Sequence, residues 1–179
     1  KLSSQINGIE LIIVLQGDFW KFDKRNIKIL RFENLVGVSK ARNYGAFYRG
    51  YYDYCIFLDE DLDVDPDFIS NIKRSVSEND CEIIAGCLFI DRSLQSYNKN
   101  SVSFENVNLN YKANLIYEAL IIVRIKEFRA VRGFDENVGS GCFLGGAEGA
   151  DFLYRMNNLG YNAIRDVRIY AYHKDFFEN

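Results

Sequence analysis

The chain has 179 residues, 48% of them hydrophobic and 15% aromatic, and carries a formal net charge of −3. That length suits a single domain with one sizeable core, and that hydrophobic share excludes a disordered chain. A pI near 5.3 excludes a broad basic surface for nucleic acid, and no apolar stretch has the length of a membrane span.

Lys1–Gly8 reads as the end of a helix and a turn. Glu10–Leu15 (ELIIVL) is an apolar run closed by Gln16-Gly17-Asp18, a strand and its turn. Asn26–Phe32 predicts a second strand, and Val38–Tyr51 a helix with Ser39 as its N-cap. Tyr54–Leu58 is a buried strand. A helix over Pro66–Ser77 follows, with Pro66 in its first turn and Asp65 as cap. Cys81–Ile90 is another buried strand, whereas Asp91–Asn110 is polar and without a period. Ala119–Val123 predicts a strand, Lys126–Val131 a short helix, and Gly139–Gly149 a glycine-dense loop suited to close approach of a ligand. Asp151–Leu159 predicts a helix ended by Gly160, and Arg168–Tyr172 a strand that delivers His173, the one histidine. Strands alternate with helices, so the fold class is α/β. Cys55 and Cys87 lie in apolar runs and read as core residues, and the four cysteines form no C-x-x-C pair, which favours a reducing compartment.

Tyr54–Leu58 runs straight into Asp59-Glu60-Asp61-Leu62-Asp63. Carboxylates are costly to bury without partners, so these acids belong where the strand emerges, at the edge where open α/β sheets bind ligands. Clustered carboxylates repel one another unless a proton or cation relieves them, and oxygen ligands suit Mg²⁺ or Mn²⁺ shared with a phosphate. The same residues also read as a solvated acidic turn ahead of a helix, and on these residues alone both readings stand. Gly37–Asn43 opens a helix with Lys40 and Arg42 near its first turn, either a phosphate site or a solvated basic face. His173 is either a metal ligand or a surface residue.

Taken in order, these segments resemble the family 2 glycosyltransferases of GT-A fold. Gly37–Gly45 matches their G-x-[ST]-x-A-R-N-x-G segment, and Phe57-Leu58-Asp59-Glu60-Asp61 their apolar strand ending in Asp-x-Asp. Gly133-Phe134-Asp135-Glu136 matches G-F-D-E, Glu148–Arg155 approximates E-D-x-D-[LF]-x-x-R, and Tyr170–His173 matches a late strand ending in His. The resemblance implies a Rossmann-like GT-A sandwich with a mixed sheet flanked by helices. Residues 1–179 form one such domain, about 1–90 holding the nucleotide-sugar and about 91–179 the acceptor. It implies inverting, metal-dependent transfer from a UDP-sugar to a saccharide acceptor, with Mn²⁺ or Mg²⁺ held by Asp59, Asp61 and His173. Gln16, Asp18, Lys40, Arg42, Asp59 and Glu60 are expected along the donor, while Asp63 keeps the solvated-turn reading. Glu148 is the first candidate for the base and Asp151 the second. Cell-surface polysaccharide synthesis in the cytoplasm, at the inner face of a membrane, follows by analogy only.

Two departures stand out. The family's base is the Asp of Glu-Asp, and that position here is Gly149. The family's opening I-P-x-Y-N strand and helix have no counterpart before ELIIVL, and Leu15-Gln16-Gly17-Asp18 replaces Asp-Asp-Gly-Ser in the nucleobase site. These departures favour a rival reading, a degenerate transferase domain that binds a sugar or a protein without catalysis. A haloacid-dehalogenase-like phosphohydrolase fits worse, because Leu62 follows the second Asp where Thr or Val is usual. An EF-hand fails at Val64 and Ser70. Tyr97, Tyr111 and Tyr117 flank the segment where an acceptor would lie, and suit sugar stacking or packing.

Overall fold

A computed structural model describes residues 9–17, 28–48, 52–89, 104–107, 116 and 118–173. Its strands are β1 (Ile12–Gln16), β2 (Lys28–Phe32), β3 (Tyr54–Ile56), β4 (Leu62–Val64), β5 (Ile83–Phe89), β6 (Phe104–Val107), β7 (Ile121–Arg124) and β8 (Ala163–His173). Its helices are α1 (Val38–Phe47), α2 (Phe68–Glu78), α3 (Ile125–Ala130) and α4 (Glu148–Asn158), with a 3-10 turn over Glu118–Leu120. The architecture is mixed α/β.

The main sheet has six strands in the order β3-β7-β5-β8-β4, with β6 also on β8. β5 and β8 run parallel, and the other pairings are antiparallel. β5 and β7 are nearly continuous apolar runs because both of their faces are covered. Ile83 and Ala85 of β5, with Ile121 and Val123 of β7, face Phe128, Phe152, Leu153 and Met156 of α3 and α4. The intervening Ile84 and Ile122 face Phe68, Ile69 and Ile72 of α2. The period of two thus builds a core on each side of the sheet, and each large aliphatic or aromatic side chain fully buried there contributes about 1.5–3 kcal/mol. Cys55 packs against the first of these cores, and burial pushes its thiol up to about 12. β1 and β2 form a separate parallel pair on which α1 packs.

Several boundaries differ from those the sequence predicts. β8 is eleven residues long, more than twice the expected Arg168–Tyr172. Its first half carries Arg165, Asp166 and Arg168, charges that hide a strand from any hydrophobic pattern. Asp166 is nevertheless fully buried and held by the Arg168 guanidinium at 2.9 and 2.6 Å. β4 lies inside the acidic run, where neither the turn nor the metal-site reading includes a strand, yet Leu62 and Val64 are buried beside β8. Ser39 does not cap α1. The helix starts at Val38 from Gly37 at φ 84, and the Ser39 hydroxyl donates to the Val138 carbonyl. α2 begins at Phe68 rather than Pro66, because Asp65 Oδ1 accepts the Asp67 amide at 2.8 Å and keeps Pro66 within a turn. α4 begins at Glu148, three residues ahead of Asp151. Among the described residues no helix is long and apolar enough to cross a membrane.

Candidate active site

Strand direction brings the candidate residues to one sheet edge. β3 ends just before Asp59, and β8 ends at His173. β7 runs antiparallel to both β3 and β5 and begins at that same edge, with the Phe57 amide donating to Ile121 O at 3.2 Å. The Leu62↔His173 register sets Asp61 beside His173, and His173 Nε2 lies 3.1 Å from Asp61 Oδ2. Asp61 Oδ1 is buried without a hydrogen-bond partner. Such an oxygen is costly to leave unsatisfied, so a hard cation or an ordered polar ligand would relieve it. Among the described residues no group of three or more His, Cys, Asp or Glu is gathered for a metal. One carboxylate and one imidazole still fit Mg²⁺ or Mn²⁺, ions that complete their shells with phosphate and water.

Asp59 turns the other way. Its Oδ1 accepts from Arg42 Nη2 at 2.8 Å, and Arg42 Nη1 donates to Glu148 Oε1 at 3.1 Å. The Arg42 and Glu148 side chains are only 9% and 6% exposed while Asp59 is 44% exposed, so the bridge opens to solvent on the Asp59 side. The guanidinium carbon lies 5.7 Å from the centre of the Phe134 ring, whose neighbours Phe57, Phe128 and Phe152 form a continuous aromatic core. Asn43, next along α1, accepts the Phe134 amide and donates to the Phe134 carbonyl, both at 2.9 Å. Gly133, at φ 70, is required there, since a Cβ would fall 2.3 Å from Asn43 Oδ1. The Arg42-Asn43 and Gly133-Phe134 segments therefore interlock, Asn43 fixing the loop and Arg42 bridging the acids.

The glycine-dense loop folds over the start of α1. Val38 N–H donates to Ser140 O at 3.0 Å, so the first helical amide is already used and is not open to a phosphate. The loop closes on itself between Gly139 and Leu144, and Phe143 stands 90% exposed at its tip. Lys40 and Glu60 are exposed. Gln16 Oε1 accepts the Val36 amide at 2.8 Å and ties the end of β1 to the segment before α1. Asp151 pairs along α4 with Arg155 at 2.9 and 2.7 Å, and Arg155 also donates to the Val131 and Gly133 carbonyls. Asp18, Tyr97, Tyr111 and Tyr117 lie outside the described residues.

One acid in this neighbourhood carries no motif. Glu118 opens the 3-10 turn before β7, and a Cβ placed on Gly149 would lie 2.6 Å from its Oε2. Burial, first, and then the Glu148 and Asp59 carboxylates push its pKa up, against its own backbone amide and the Arg42 guanidinium. The signal available in sequence was only its place, an acid directly ahead of an apolar run.

The family model described as glycosyl transferase family 2 matches residues 15–134. Among solved structures, S. aureus TarS 1-349 superposes with a TM-score of 0.68 at 15% identity, over 92% of this chain and 50% of that one. GalNAc-T7 with UDP, GalNAc and Mn²⁺ gives 0.69 at 11% identity, over 92% of this chain and 37% of that one. TarS 1-349 in complex with UDP gives 0.64 at 15%, with the same coverage as the first. At such identities the likeness is one of fold, and the chain spans half or less of these neighbours' lengths. No curated protein matches it by sequence.

Proposed function

The chain belongs to glycosyl transferase family 2, and on that premise we propose that it transfers a sugar from a UDP-sugar to a saccharide acceptor, with inversion and with a divalent cation. The observation that carries the reading is the Arg42 bridge to Asp59 and Glu148, set at the same sheet edge as the Asp61–His173 pair. UDP in TarS and UDP with Mn²⁺ in GalNAc-T7 support the choice of donor and ion by likeness of fold.

Asp61 and His173 would hold Mn²⁺ or Mg²⁺, which when bound would offset the charge of the diphosphate. Arg42, fixed by its two acids and by Phe134, presents a preorganised cation toward the leaving group. Lys40 adds a mobile one from the exposed face of α1. Gln16 and Asp18 are assigned to the nucleobase and Glu60 to the donor's outer side, as the family resemblance implies. Glu148 joins the Arg42 bridge from α4, whereas Asp151 is engaged with Arg155 and serves that helix. The division proposed is about 1–90 for the donor and about 91–179 for the acceptor, with His173 reaching the donor's cation from the second half. Cell-surface polysaccharide synthesis, with the reaction at the inner face of a membrane, is the setting this reading implies.

Gly149 favours one rival, a transferase-like module that binds without turnover. Thermal shift with UDP and Mn²⁺, followed by UDP release from a panel of UDP-hexoses and UDP-N-acetylhexosamines, separates the two. A ligand that binds only the folded state raises its melting temperature. A shift with UDP release supports transfer, a shift without release supports the binding module, and neither removes the nucleotide-sugar reading.

A further inference from the structure

We propose that Glu118 is the carboxylate that takes the acceptor's proton, standing in the space that Gly149 leaves beside the Arg42 bridge. The assignment rests on the glycosyl-transfer reading above.

Three observations carry it. The first is space. A Cβ at residue 149 would fall 2.6 Å from Glu118 Oε2, 3.1 Å from its Cβ and 3.4 Å from its Cδ. Gly149 is not among the residues of positive φ, so the helical backbone does not ask for glycine there, and the Glu118 side chain does. The second is direction. Glu118 precedes β7, which starts at the edge where β3 delivers Asp59 and β8 delivers His173, so its carboxylate belongs to the same mouth. The third is company. The charged groups that act on Glu118 are Glu148, Arg42 and Asp59. Partial burial, first, and then two carboxylates raise its affinity for a proton, the direction that suits a base, while the Arg42 guanidinium opposes the shift. Neither alternative is so placed. Asp151 is twice bonded to Arg155, and Glu148 is almost wholly buried with one oxygen on Arg42.

In the step, an acceptor hydroxyl oxygen forms its bond to the anomeric carbon. The bond from that carbon to the β-phosphate oxygen breaks, and its electron pair leaves with the UDP. The hydroxyl proton passes to Glu118 and then to solvent. Glu148 acts as a positioning residue through Arg42.

The test is UDP release from the UDP-sugar that the wild-type protein accepts, with Mn²⁺ and with water or oligosaccharide as acceptor. Glu118→Gln keeps the side-chain volume and removes only the charge. It should lower kcat by about 100-fold or more, the range for loss of a general base, while KM for the donor and the UDP-induced thermal shift stay within about twofold. Glu118→Ala should be equally slow, and Glu118→Ala combined with Gly149→Asp should recover at least tenfold of that loss, because the new carboxylate enters the vacated space. A Glu118→Gln protein with its kcat intact overturns the assignment alone. So does one that loses UDP binding or thermal stability along with rate, since that is the mark of a structural acid. A wild-type protein that neither shifts with UDP nor releases it removes the transfer reading, and Glu118 with it.

Discussion

Arg168 and Arg42 each hold a pair of carboxylates, and they differ in what is left over. Arg168 is held mainly by one buried acid. It grips Asp166 through Nε and Nη2 at 2.9 and 2.6 Å and reaches Glu78 at 2.8 Å. Its amide also donates to Asp166, and its carbonyl accepts from Asn71. The hydrogen bond to Asp166, above all, pushes the Arg168 pKa up. Arg42 makes one bond to each of two acids, and a third, Glu118, stands by with its carboxyl pKa raised. A bridge evolved for stability alone would resemble the one at Arg168. Surplus negative charge around Arg42 is unfavourable on its own, a local conflict expected of a functional site rather than of a scaffold.

That contrast is broken most forcefully at the scaffold bridge. Arg168→Ala leaves Asp166 buried and uncompensated, and should cost about 3–5 kcal/mol. In a domain of this size that lowers Tm by roughly 10 °C, read by circular dichroism. A loss under about 1 kcal/mol would mean that Arg168 is not the structural member of the comparison. Arg42→Lys keeps the charge but cannot span Asp59 and Glu148 as a planar fork does. UDP release should fall about 100-fold while Tm moves little, and equal losses of stability at the two arginines would erase the distinction. The smallest effect is a pH dependence. A carboxyl whose folded pKa is raised binds its proton more tightly in the native state. Its stabilising contribution is therefore complete below the unfolded pKa and is lost as pH rises through the folded one. Denaturant unfolding at pH 4 and at pH 7.5 should show Glu118→Gln gaining on the wild type at the higher pH. An unchanged difference would mean that Glu118 is not held in a charge-poor, acid-rich setting.

Much of the site was legible because motifs mark where chain segments must meet. Gly37–Asn43 and Gly133–Phe134 were visible as separate signatures, and their interlock through Asn43 gives both a physical reason. The acidic strand end and the histidine at the end of the last strand were visible as separate signatures, and the fold brings Asp61 and His173 together at one sheet edge. Backbone register, rather than sequence spacing, decided that Asp61 would face His173 while Asp59 faced Arg42. Charged strands were invisible to hydrophobic pattern, as in the first half of β8, where Asp166 is buried by virtue of a partner two residues away. β4 was missed because three residues inside an acidic run carry no period. Glu118 was missed because its significance depends on Gly149, thirty-one residues later in the chain, having no side chain.

The central claim is that this sheet edge holds a nucleoside diphosphate through a cation on Asp61 and His173 and through Arg42. Isothermal titration of UDP into the wild type and Asp61→Ala, each with and without Mn²⁺, tests it most directly, because coupling between two ligands is reciprocal and measurable as a change in affinity. The account predicts that Mn²⁺ tightens UDP binding at least tenfold in the wild type and has no such effect in Asp61→Ala. UDP affinity indifferent to Mn²⁺ in the wild type, or the same coupling surviving in Asp61→Ala, would contradict it.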